Sequence, residues 1–164
     1  MKREDIEKNF NKGRSNLFLV VLLTSVNVVL RLTNTDISFL FAANLPSFFI
    51  DIGKYLSEES GNQILFNIGV LLAFAGIAIY GLCYVLSKKY NAWLLVALVI
   101  FPIDTLFLLF LLTLDFNFGG IIGIGFHAWV IYNLACGVKA WSDLKKLPVN
   151  ELPEENNTNI EENL

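Results

Sequence analysis

Two ionisable side chains stand inside long apolar segments of this chain. Asp104 lies near the middle of the run from residue 92 to 114, and His127, the only histidine, lies in the run from 119 to 138. If the two runs form an antiparallel hairpin that turns at residues 116–117, Asp104 and His127 differ in depth by ~3 Å. An acid and an imidazole in contact can hold or pass a proton, and ionisable groups inside a membrane are a default indication of a functional site.

Three further polar residues belong to the same half of the predicted bundle. Asn27 and Arg31 lie four residues apart on one face of the first apolar run, and Asn67 lies near the start of the second. The candidate intramembrane site is therefore this set: Asn27, Arg31, Asn67, Asp104 and His127. We interpret it as a polar pocket open to the outer side. The alternative is structural, because polar side chains inside membranes also form interhelical hydrogen bonds, worth ~0.6 kcal/mol each on average.

Small residues indicate how the last apolar run packs. Gly119, Gly123 and His127 follow one another at intervals of four residues and therefore share one helical stripe. Small side chains at this spacing allow two helices to approach closely. The stripe of Gly119 and Gly123 is predicted to be a packing face, and it directs His127 inward.

The chain carries none of the usual catalytic or metal-binding signatures. HExxH, GxSxG and Walker-type loops are missing, and the single histidine has no neighbouring cysteine or paired acid. Cys83 and Cys136 lie in apolar runs without a CxxC motif, which is typical of reduced thiols that pack as small hydrophobic side chains. We therefore expect no catalytic residue, no metal site and no cofactor.

The composition is that of a membrane protein. Of the 164 residues, 55% are hydrophobic and 16% are charged, and the mean hydropathy is +0.57. Soluble domains carry ~25% charged residues. No basic patch suited to nucleic acid is present. The pattern predicts an all-α integral membrane four-helix bundle in a lipid bilayer, with spans at about 17–33, 64–87, 92–114 and 119–138.

Three segments lie outside these spans. Residues 1–16 are predicted to form a loose or partly helical cytoplasmic arm, and the acidic residues 148–164 a disordered cytoplasmic tail. Residues 37–56 are too apolar for a loop. They predict one or two short helices that lie in the outer interface or re-enter the membrane, with Pro46 near a helix start and Asn44 as its cap. A full extra span at 37–56 is the rival interpretation.

The basic residues predict the orientation of the chain. Four spans place ten of the twelve lysines and arginines on one side of the membrane and leave Arg31 and Lys54 on the other. By the positive-inside rule, both termini are then cytoplasmic. A fifth span at 37–56 would put Lys88 and Lys89 on the side opposite the N-terminal arm, which disfavours that interpretation.

Three stretches carry a resemblance to a group of bacterial proteins: NTDISFLFAANLP (34–46), FPIDTLFLLFLL (101–112) and FHAWVIYNLACGVKAWSDLKKLP (126–148). Through them, residues 14–148 resemble small four-span integral membrane proteins of Firmicutes-type bacteria. No activity is established for that group. The resemblance therefore implies a bacterial inner (plasma) membrane setting and no mechanism.

Three classes of function follow from these observations. The first is a non-enzymatic accessory or interaction protein, with another membrane protein or a second copy as its partner. The second is a small-molecule or ion binding or transport unit, proton-linked through Asp104 and His127 and oligomeric because four spans are few for a transporter. The third is a membrane enzyme with His127 as general base, for which the chain offers no evident nucleophile or metal.

Overall fold

The computed structural model describes residues 3–35, 39, 42–114, 116 and 118–146. These residues form five helices and no strand: α1 (Arg3–Leu32), α2 (Asn44–Ser60), α3 (Gln63–Leu86), α4 (Ala92–Leu114) and α5 (Phe118–Leu144). The predicted tail at 148–164 lies outside the described residues, as do residues 36–38 and 40–41 of the segment between the first two spans.

Four of the helices, α1, α3, α4 and α5, are long and apolar enough to cross a membrane. Their outward surfaces carry large apolar side chains, of which Leu71, Val99 and Leu106 are 69%, 60% and 65% exposed. A protein folded in water buries more of such side chains than this, so these surfaces fit contact with acyl chains. The all-helical architecture with four candidate spans is thereby confirmed.

The N-terminal arm is continuous with the first span, because α1 is helical from Arg3 onwards. Ile6 and Phe10 are only 3% and 8% exposed, and they join the same apolar core cluster as Ala140 near the end of α5. α5 likewise extends to Leu144, beyond the predicted boundary at residue 138. Tertiary packing between the two helix extensions therefore accounts for the helical structure of a segment whose sequence is polar and highly charged.

The helices α2 and α3 form a helical hairpin. Gly61 follows α2 with φ 66°, a left-handed conformation that glycine adopts without strain, and the Asn62 side chain caps α3 by accepting a hydrogen bond from the N–H of Ile64 at 3.0 Å. The two helices meet at Gly53 and Gly69, where a Cβ on Gly53 would lie 3.0 Å from Cα of Gly69. This close approach lets α2 pack along α3 over much of its length.

The helix α2 has 17 residues and corresponds to the second half of the apolar segment predicted at 37–56. It starts beside Asp104 in the middle of α4 and ends at the turn that leads into α3. We call the end of the bundle where α1 ends and α3 and α5 begin the outer end, after the predicted topology.

Candidate functional site

The structure brings Asp104 and His127 together in the centre of the bundle. Both side chains are fully buried, and Nε2 of His127 lies 3.7 Å from Oδ2 of Asp104. The ring of Phe101, one turn before Asp104 on α4, stacks on the imidazole with 4.7 Å between ring centroids. The short connection between α4 and α5 places the two groups at the same level, and Phe101 closes one face of the histidine.

The carboxylate of Asp104 lies at the start of α2 and accepts hydrogen bonds from its backbone. The N–H of Asn44 lies 3.0 and 2.9 Å from the two carboxylate oxygens, and the N–H of Leu45 lies 2.7 Å from Oδ1. The sequence predicted Asn44 as the cap of this helix, and that assignment is wrong. Asn44 is the first helical residue, the cap position belongs to Ala43, and Asp104 supplies the capping oxygens from another helix.

The capping contact explains how an acid is accommodated among apolar side chains. The first N–H groups of any helix have no partner within the helix, and the aligned peptide dipoles place partial positive charge there. No side chain from α2 itself satisfies them. In a medium without water, the helix start therefore gives the carboxylate hydrogen-bond donors and partial positive charge, and the carboxylate gives the N–H groups their acceptors.

The hydrogen bonds around His127 are satisfied by a neutral imidazole. Nδ1 lies 2.9 Å from Oγ1 of Thr105, whose hydroxyl donates to the carbonyl of Phe101 at 3.0 Å. Nε2 lies 3.2 Å from Nδ2 of Asn44 and 3.3 Å from the carbonyl oxygen of Ala42. With hydrogen on Nδ1 the ring donates to Thr105 and accepts from Asn44, and with hydrogen on Nε2 it donates to the carbonyl of Ala42. Either neutral tautomer therefore has partners without a second proton.

Two residues of α1 hold the segment that precedes α2. Oγ1 of Thr24 accepts a hydrogen bond from the N–H of Ala43 at 2.9 Å. The side-chain amide of Asn27 donates to the carbonyl of Phe39 at 2.6 Å and accepts from its N–H at 2.7 Å. Asn27 thus lies next to the site as predicted, but both polar atoms of its side chain are occupied by backbone groups.

Arg31 lies one turn further along α1, at the outer end. Its Nη1 is 3.7 Å from Oδ1 of Asp51, and both side chains are roughly half exposed. Burial raises the pKa of Asp51 above the usual range, while Arg31 and Lys54 act in the opposite direction. The 3.7 Å separation exceeds hydrogen-bond length, and the Arg31 guanidinium donates no hydrogen bond to any other described residue.

A cavity of about 400 Å³, here called the outer cavity, lies between α1, α2, α4 and α5. Its wall consists of polar side chains, leucines of α4 and glycines of α5. The lining residues include Asn27, Arg31, Asn44, Ser47, Leu108, Leu111, Leu112, Leu114, Gly119, Gly120 and Gly123. Asp104 and His127 lie beneath its floor and do not line it. The predicted polar pocket is therefore divided into a buried pair and a separate cavity.

The remaining predicted site residue, Asn67, is not part of this group. It is exposed on the surface of α3, two residues before Gly69, which is buried against α2. Two residues correspond to about 200° of rotation around a helix, so Asn67 faces away from the bundle. Gly119 and Gly123 line the outer cavity, and Gly123 is buried. Close contacts between glycines of two helices are described at Gly13 with Gly137 and at Gly53 with Gly69.

No family model, curated protein or solved structure matches the chain. Within the described part of the chain, no group of three or more histidine, cysteine, aspartate or glutamate side chains is arranged to hold a metal ion.

Sequence reasoning missed three contributors to the site: Asn44 in its contact with both Asp104 and His127, Thr105 on the imidazole, and Ser47 in the outer cavity. The signal for Thr105 was present, since it directly follows the acid. The sequence gives no signal for the contacts of Asn44 and Ser47, because these contacts depend on where α2 enters the bundle.

Proposed function

We propose that the protein is a non-enzymatic accessory or interaction protein of the membrane, in which Asp104 and His127 have a structural role. The observation that carries this proposal is the capping contact, in which the carboxylate of Asp104 accepts from the N–H groups of Asn44 and Leu45. A side chain used for proton transfer or general base catalysis needs a hydrogen-bonding atom that is free to contact water or a ligand. Here both side chains are buried and fully occupied by protein partners.

We further propose that α2 is a re-entrant helix, with its first residues near the membrane midplane and its end at the outer surface. The proposal is supported by the position of Asn44 beside Asp104, which is the thirteenth of the 23 residues of α4. Irregular backbone at membrane depth is tolerated only where protein satisfies its polar groups. Asn27 does this for Phe39, Thr24 for the N–H of Ala43, and Asp104 for the N–H groups of Asn44 and Leu45.

The setting we propose is the plasma membrane of a bacterium, with the protein crossing it four times and both termini in the cytoplasm. The ten basic residues on one side support this orientation by the positive-inside rule. In this arrangement the end of α2 lies on the outer side, where its exposed residues Tyr55, Glu58 and Glu59 can contact a partner.

The experiment that tests the structural role uses a single cysteine at the buried start of α2. In a background with Cys83→Ala and Cys136→Ala, the substitution Ala43→Cys places a thiol where the wild-type residue is 1% exposed. Added Asp104→Leu, which removes every capping oxygen, is expected to make this thiol reactive toward a membrane-permeant maleimide, while the matched change Asp51→Leu leaves it protected. A protected thiol in the Asp104→Leu variant contradicts the structural role.

A second candidate, a proton-linked binding or transport unit, is favoured by one observation. The outer cavity reaches Asn44, whose backbone contacts Asp104 and whose side chain contacts His127. Proton flux in proteoliposomes with a pH-sensitive dye inside measures this activity directly. If the protein conducts protons and an Asp104 variant whose α2 remains in place does not, this candidate is favoured over the accessory role.

A further inference from the structure

We propose that the outer cavity is a binding site for an organic anion with an apolar body, held by the guanidinium of Arg31 and the hydroxyl of Ser47. The buried pair of Asp104 and His127 takes no part in this site. The proposal is therefore independent of the proposed function above.

The dimensions of the outer cavity suit a small molecule. Its volume of about 400 Å³ lies at the lower end of the range of ligand pockets, roughly 300–1,000 Å³. It extends along α4 from Leu114 at the outer end to Leu108, which is ~9 Å along the helix axis. It therefore begins at the outer end of α4 and ends one turn above the buried pair.

Ser47 provides an unusual polar atom in this cavity. A serine or threonine inside a helix commonly donates to the carbonyl three or four residues before it, and Ser25, Ser60 and Thr105 do so at 2.7, 2.6 and 3.0 Å. The Oγ of Ser47 is buried and has no hydrogen-bond partner among the residues that the structure describes. A buried hydroxyl without a partner costs free energy that a ligand acceptor would recover.

Arg31 provides the positive charge, since it is the one cation among the described lining residues of the outer cavity. The other basic residue at this end, Lys54, donates to Oδ1 of Asn34 at 2.7 Å and does not line the cavity. Asp51 pairs with Arg31 at 3.7 Å, beyond hydrogen-bond length, and the guanidinium, which carries five donors, makes no hydrogen bond to the other residues that the structure describes. Carboxylate and phosphate are the groups that such a fork recognises.

The rest of the wall favours an apolar body on the anion. Leu108, Leu111 and Leu112 form the α4 side, and the glycines of α5 present backbone without side chains opposite them. A fully hydrated inorganic anion would leave these leucines in contact with water. An amphiphilic anion instead places its charge at Arg31 and its hydrocarbon along α4. Either a soluble organic acid from the outer phase or the head of an anionic lipid has this chemistry.

The experiment measures binding of naphthylacetate to the full-length protein in nanodiscs of phosphatidylcholine, by protection of a single cysteine at Leu111→Cys from maleimide. Cys83→Ala and Cys136→Ala form the background. The uncharged naphthylacetamide tests the need for the charge, and inorganic phosphate tests the need for the apolar body. Nanodiscs with phosphatidylglycerol, without added acid, test the lipid as the source of the anion.

We expect saturable protection by naphthylacetate, or protection in phosphatidylglycerol nanodiscs if a lipid is the ligand. Arg31→Gln should weaken it by about tenfold or more and Ser47→Ala by about threefold or more, while Lys54→Gln leaves it unchanged. The amide and inorganic phosphate should protect at least about tenfold less well. The proposal is overturned if neither naphthylacetate nor phosphatidylglycerol protects the cysteine. It is also overturned if Arg31→Gln and Ser47→Ala are protected as well as the protein without these changes.

Discussion

Both carboxylate oxygens of Asp104 lie within 3.0 Å of the backbone nitrogen of Asn44. An acid in the middle of one apolar helix thereby caps the first turn of another helix that is distant in sequence. The contact ties α4 to α2, and through the Asn44 side chain and His127 it also reaches α5. The position of α2 in the bundle therefore depends on a small number of polar atoms, and substitutions that remove them should lower the free energy of unfolding.

Removal of the capping carboxylate should destabilise the protein strongly. Asp104→Leu leaves the N–H groups of Asn44 and Leu45 without acceptors, which costs about 3 kcal/mol or more of the free energy of unfolding. Asp104→Asn retains one acceptor oxygen and should cost about 1–2 kcal/mol. Unfolding by SDS in mixed micelles, followed by circular dichroism, measures both. Asp51→Asn, a change at a half-exposed acid, is the control and should stay within about 0.5 kcal/mol of wild type.

The hairpin of α2 and α3 should be equally sensitive at its glycine contact. A Cβ at Gly69 would overlap the backbone carbonyl oxygen of Phe49, which cannot move without displacing α2. Gly69→Ala should therefore cost about 3 kcal/mol or more and loosen α2. Gly81→Ala is the matched control on the same helix, because a Cβ there meets nothing within 4 Å. If the two variants unfold at the same SDS fraction, the described packing of α2 on α3 is wrong.

Hydropathy was sufficient to predict α1, α3, α4 and α5, because each contains a window of apolar residues long enough for a bilayer. The match in depth of Asp104 and His127 was also predictable, since a connection of a few residues fixes the register of two antiparallel helices. The face on which Asn67 lies was not, because α3 is apolar around its whole circumference and its pattern does not distinguish the buried side.

The contacts of α2 were beyond sequence reasoning for a different reason. Asn44 is 60 residues from Asp104 and 83 from His127, and no local pattern connects positions that far apart. Glycines occur on several helices, so their spacing does not reveal which two meet. Gly13 and Gly137, which no spacing pattern singles out, make a close contact between α1 and α5.

The N-terminal part of α1 should contribute to stability although it precedes the predicted span. Phe10 is 8% exposed in the apolar core cluster shared with α5, and truncation of a buried phenylalanine costs about 3–5 kcal/mol. Phe10→Ala should therefore lower the free energy of unfolding by that amount, and Asn9→Ala, at an exposed neighbouring position, should leave it unchanged. A loose arm would give equal results for the two variants.

The proposed topology predicts which loops are accessible from outside the cell. With the native cysteines replaced, single cysteines at Ser60→Cys and Asn117→Cys should react with a membrane-impermeant maleimide on intact cells. Tyr90→Cys, in the turn between α3 and α4, should react only after permeabilisation. Labelling of Tyr90→Cys in intact cells would indicate the reverse orientation or an additional span.

Asn27 and Asn67 offer a matched comparison of two asparagines predicted for the same site. Asn27→Ala removes both hydrogen bonds to the backbone of Phe39, and since the freed N–H and carbonyl are partly buried, the cost should be about 1–3 kcal/mol. Asn67→Ala changes an exposed side chain of α3 and should shift the free energy of unfolding by less than about 0.5 kcal/mol. The same SDS titration distinguishes them. Equal losses would mean that Asn67 has a buried partner and that α3 is rotated from the orientation described, whereas a loss confined to Asn27→Ala supports the attachment of the segment before α2 to α1.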